Sequence, residues 1–79
     1  MIMPSADTVL DWIRQHPDGI TIPALMQAQY GPIGTGQRER IRRVLYVRLC
    51  NLEKYDLVER TTVPARVQGG HITTWRPLP

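Results

Sequence analysis

Five arginines, Arg38, Arg40, Arg42, Arg43 and Arg48, fall within eleven consecutive residues and face a single acid, Glu39, a net of +4. The whole 79-residue chain carries +3, so everything outside this stretch sums to −1. Nine of the ten basic residues are arginine, whose planar guanidinium grips phosphates and guanine edges through paired hydrogen bonds. The chemistry on offer is recognition of a polyanion rather than making or breaking of bonds. Gln37 carries an amide suited to adenine. Arg42 and Tyr46 share one flank of a helix and suit sugar or phosphate. Thr35 and the N–H groups that follow Gly36 are expected to form a backbone phosphate site at a helix start.

Catalytic constellations are missing from the pattern. Gly31 and Gly36 imitate the frame of a phosphate-binding loop, but Gln37 and Arg38 stand where lysine and a hydroxyl residue are needed, and a helix rather than a strand comes before. His16 belongs to a turn and His71 lies near a hairpin tip, and no motif places a carboxylate to orient either as a base. The single cysteine, Cys50, excludes an internal disulfide, and no four-ligand Cys/His cluster exists for structural zinc. No catalytic residue, cofactor, metal or small-molecule substrate is expected. A chain this short buries only about 60% of its unfolded surface, which leaves little room for a metabolite cleft. A binding module is expected, not an enzyme.

With 42% hydrophobic residues the chain is globular, and residues 1–79 are expected to form one domain. The start lacks the charged segment and apolar run of a signal peptide, and no stretch approaches the ~18 apolar residues of a membrane span. A soluble, cytoplasmic protein is the expectation.

The elements that must position the arginines follow from periodicity. Ala6, Val9, Leu10 and Ile13 repeat at helical spacing over about 5–16, with Ser5 as cap, Asp7 in the first turn and Trp12 as a lid on the stripe. Pro17 and Gly19 then make a turn. Residues 20–22 are β-branched and strand-like, and Pro23 suits the first turn of a second helix over about 23–30, with Leu25 and Met26 inward. Residues 31–36, with three glycines and a proline, predict a turn or flexible loop. A third helix is expected over about 37–55. At about 100° per residue, Ile41, Leu45, Leu49 and Leu52 share a narrow arc, while Arg40 and Arg43 oppose it. Arg48 falls at the edge of that arc, its stem expected along the core, and Cys50 falls opposite it. Residues 57–63 and 71–76 read as strands joined by a turn-rich tip, a hairpin over about 57–76.

Helix, short strand, helix, turn, longer helix, hairpin is the order of the winged helix-turn-helix superfamily, which the chain resembles over nearly its whole length. The most specific stretch runs from Leu45 through Leu49 and Leu52 to Leu57-Val58-Glu59-Arg60; it is similar to the end of that family's recognition helix entering the first wing strand. Residues 19–25 are similarly placed to the family's entry into helix two. Two features depart from the pattern. Asp56 stands where a left-handed glycine is common, a conformation Asp tolerates, and the connection at 31–36 is longer than the usual helix-turn-helix turn.

The resemblance implies an α+β fold, a three-helix bundle with a C-terminal β-hairpin wing. It also implies sequence-specific binding of double-stranded DNA, with helix 37–55 as recognition helix. Arg38, Arg40 and Arg43 are the leading contacts, joined by Thr35, Gln37, Arg42 and Tyr46. Arg66 and Gln68 at the wing tip reach a minor groove or the backbone. A transcriptional regulator acting as a homodimer fits, since one small reading head rarely supplies enough specificity. The alternative is a winged-helix protein–protein interaction module without DNA binding, its arginine face against an acidic partner and Tyr46 or Trp75 as anchor. RNA binding lacks the exposed aromatic pair that stacks bases.

Overall fold

A computed structural model describes residues 3–64 and 70–79. Ser5 opens helix α1 (Ala6–Arg14): its backbone is extended and its hydroxyl accepts from the Thr8 N–H at 3.3 Å, with Asp7 in the first turn. The helix ends two residues before the expected His16, which gives its carbonyl to the Gly19 N–H. Gly19 has φ 101°, and a side chain there would collide with the Thr74 methyl. The strand expected over 20–22 contracts to one residue. Ile20 exchanges both backbone hydrogen bonds with Trp75 at 2.9 Å, and the chain then turns into helix α2 (Ile22–Tyr30) with Thr21 as cap and Pro23 in the first turn.

The glycine-rich connection is shorter than the sequence predicts. Gly31 closes α2 with φ 67° and Gly34 caps helix α3 (Thr35–Lys54), so Thr35 and Gly36 are helical and the turn is residues 31–34. Its length is therefore ordinary for two helices packed at an angle. Ile33 from this turn packs on the core. At its far end α3 stops at Lys54, and Asp56 adopts the left-handed conformation, φ 60°. Two strands follow, β1 (Val58–Pro64) and β2 (His71–Pro77), antiparallel, with Val58 opposite Pro77 and Pro64 opposite His71.

Three helices followed by a two-stranded antiparallel hairpin make an α+β domain. The core collects Val9, Leu10 and Ile13 of α1, Leu25 and Met26 of α2, the Ile41/Leu45/Leu49/Leu52 stripe of α3, and Val58 and Trp75 of the hairpin. Trp12 covers the edge as expected, its ring edge-on to Tyr30 at 5.8 Å, and burial raises the Tyr30 phenol above its ordinary pKa. No described helix is long and apolar enough to cross a membrane.

Candidate nucleic-acid interface

Helix α3 is held on three sides. Its apolar stripe meets α1 and α2. One flank is tied to the lead into α1: Arg48 is half-buried, its stem at the core edge as expected, and its Nε donates to the Pro4 carbonyl at 3.4 Å. The other flank is clamped by the hairpin. Arg60 of β1 reaches across, donating to the Glu53 carboxylate at 3.0 Å and to the Tyr46 hydroxyl at 3.4 Å, with its guanidinium 5.2 Å above the Trp75 ring. The Tyr46 hydrogen bond and then the Glu53 charge hold the Arg60 pKa above its ordinary value. Tyr46 also meets Trp75 edge-on at 6.2 Å. Tyr46 and Glu53 lie seven residues apart, about two helical turns, and so share the face that Arg60 spans.

The clamp changes two expectations. Cys50, placed opposite the apolar arc by the helical repeat, is half-buried and packs against the core, because the hairpin folds back over a flank that a single-faced wheel leaves in solvent. Trp75 is only 1% exposed. It is the keystone between α3 and β2, and so it cannot anchor a partner.

The remaining face of α3 is open. Thr35, Gln37, Arg38, Arg40, Arg42 and Arg43 are all exposed, and Tyr46 is 46% exposed. These arginines do not share one face. Arg42 turns toward α2 and the hairpin and pairs with Glu39 one turn back at 2.8 Å, which raises the Arg42 pKa and holds the Glu39 carboxyl below the ordinary carboxylate range. Arg38, Arg40 and Arg43 have no carboxylate partner among the described residues. Arg40 and Arg43 flank Val44 and Val47, the latter 49% exposed, on the side away from the core. The exposed Val47 escaped the sequence analysis; its phase, one turn past Arg43, is the signal that marks it.

The helix start also moves. Since α3 begins at Thr35, with the Arg38 N–H as its first internal donor to Gly34, the free backbone donors belong to residues 35–37 rather than to those after Gly36. Gly34 supplies no side-chain cap. Arg66 and Gln68 lie outside the described residues. His71 is exposed and His16 half-buried, and the described residues contain no cluster of three metal-ligating side chains. Comparison with protein-family models, curated proteins and solved structures finds no match.

Proposed function

We propose that this domain is a winged helix-turn-helix that binds double-stranded DNA sequence-specifically, with α3 as the reading helix and the β1–β2 hairpin as its wing. The observation that carries the reading is the exposed surface of α3, where Arg40 and Arg43 on one flank and Arg38 on the other form no ion pair among the described residues, beside a backbone-donor helix start. A major groove about 12 Å wide admits one such helix, with its early residues at base edges and its cationic flanks at phosphates. Arg40 and Arg43 face the bases, with Gln37 beside them. Arg38 and Arg42 meet the backbone on the α2 side, where Tyr46 joins them, and the free N–H groups from Thr35 onward hold one phosphate. Val47, on the same face, suits the methyl of a thymine. The four-residue turn between α2 and α3 supports this geometry better than the longer loop expected from the sequence.

The small footprint of one head favours a homodimer on a two-fold site, in keeping with a transcriptional regulator. The test is duplex binding at several salt concentrations. Four to six phosphate contacts per protomer predict a log–log slope of about −4 to −5 for each protomer bound. Selection from random genomic fragments should enrich an inverted repeat. A flat salt response, with no enriched sequence, overturns the reading.

A further inference from the structure

A groove of about 600 Å³ runs between the start of α2, the Arg42/Tyr46 flank of α3 and the outer edge of β2. Its lining is apolar at Ile22, Ile72 and the edge of Trp75 and basic at Arg42, Arg60 and His71, with no carboxylate among the lining residues. Ile72 is 45% exposed beside it.

The backbone of β2 decides what the groove is built to take. Trp75 gives both its N–H and its C=O to Ile20, so both point away from β1. Strand alternation then points the N–H and C=O of Thr73 and His71 the same way, into the groove. The phase is corroborated by Pro77, two residues on from Trp75, which has no N–H to offer a neighbouring strand. Ile20 would have continued the ladder past Thr73, but the chain turns into α2 at Ile22 instead. Thr73 and His71 therefore have no backbone partner on that side among the described residues. A row of unpaired donors and acceptors beside an apolar lining is a template for one more strand. β1 ends in Pro64, which has no N–H to offer.

We propose that this groove binds an extended acidic peptide segment of a partner protein, which adds to the free edge of β2. Its backbone pairs with Thr73 and His71. Its apolar side chains, every second residue and so on one face, rest on Ile72, which lies on the opposite face of β2 from Trp75, and the carboxylates between them face Arg42. A carboxylate takes Arg42 from Glu39, an exposed pair that is easily exchanged. The edge donors favour a peptide over a small anion, and the acid-free rim selects an acidic one. This site lies on the opposite flank of α3 from Arg40 and Arg43 but shares Arg42 and Tyr46 with the proposed phosphate contacts, so peptide and duplex would compete for those two residues.

The probe is a fluorescein-labelled peptide of roughly eight residues alternating valine and glutamate, near the length of a common strand. Two controls accompany it: the same peptide N-methylated on every second backbone amide, and one with lysine for glutamate. In anisotropy titrations at about 150 mM salt, the parent peptide binds saturably and about ten-fold or more tighter than either control, the worth of one to two net backbone hydrogen bonds. Saturating peptide slows hydrogen exchange at the Thr73 and His71 amides, and Thr73→Pro, which removes a donor facing away from β1, loses the same affinity with the hairpin intact. Equal binding of the methylated peptide overturns the proposal, because charge alone then explains retention. Protection of the two amides that grows with protein concentration and needs no peptide also overturns it, in favour of a second copy of this chain. So does protection by duplex DNA with no peptide binding.

Discussion

The two flanks of α3 use the same residue type for opposite ends. Toward the hairpin two guanidinia are occupied, Arg42 by Glu39 and Arg60 by Glu53, Tyr46 and the Trp75 ring. On the outer side Arg40 and Arg43 form no ion pair among the described residues and stand beside an exposed valine. Charges satisfied internally define the angle between helix and hairpin, while unsatisfied ones are available to a partner. Counting arginines along the chain cannot separate the two groups; only the position of the hairpin does.

The harshest way to break this contrast is to remove the keystone. Trp75→Ala empties the space under Arg60 and Tyr46 and should cost about 3–5 kcal/mol by urea denaturation, much of the total stability of a small domain. A loss below about 1 kcal/mol would mean that the hairpin is not clamped as described. Next, Arg40→Gln with Arg43→Gln should leave stability within about 0.5 kcal/mol of wild type, cost about 1–3 kcal/mol of duplex binding per arginine and relax sequence preference, with a smaller change in salt slope. Arg60→Gln should do the reverse, lowering the unfolding midpoint with little change in duplex binding. If the two variants behave alike, the flanks are not distinct.

A smaller effect tests the turn that aims the hairpin. The left-handed conformation costs an L-residue about 1–2 kcal/mol, and glycine gives back roughly 0.5–1 kcal/mol in unfolded-state entropy. Asp56→Gly should therefore stabilise by about 0.5–1 kcal/mol, read as a rise in the urea midpoint at unchanged m-value. The smallest effect concerns Glu39. Its folded pKa lies below the ordinary value, so its pair with Arg42 contributes above the ordinary carboxylate pKa and loses that contribution as pH falls through the depressed one. The midpoint difference between wild type and Glu39→Gln should shrink to nothing between about pH 6 and pH 2; a difference that grows with acidification contradicts the pairing.

Much of the architecture was legible in the residues. The spacing of Val9, Leu10 and Ile13, and of Ile41, Leu45, Leu49 and Leu52, located the helices and their buried faces, since burial of one stripe is decided locally by the helical repeat. Asp56 was correctly read as able to take the left-handed turn. Two kinds of feature stayed hidden. Gly36 signalled loop, yet it sits in the exposed first turn of α3, where the backbone N–H has no internal partner to lose. Cys50, Tyr46 and Trp75 depend on a hairpin that returns from later in the chain, and no periodicity within one element registers a contact made by another. Of the candidate site, the exposure of Thr35, Gln37, Arg38, Arg40, Arg42 and Arg43 was readable, whereas the division of those arginines between two flanks was not.

Arg60 touches Tyr46 and Glu53 at once, and that double grip constrains how this gene can drift. Adding or deleting one residue between those two positions would rotate everything downstream by about 100° and part the hairpin from its seat. Spelling along the outer side of the rod is free to wander, while the count of letters between the two anchors is locked.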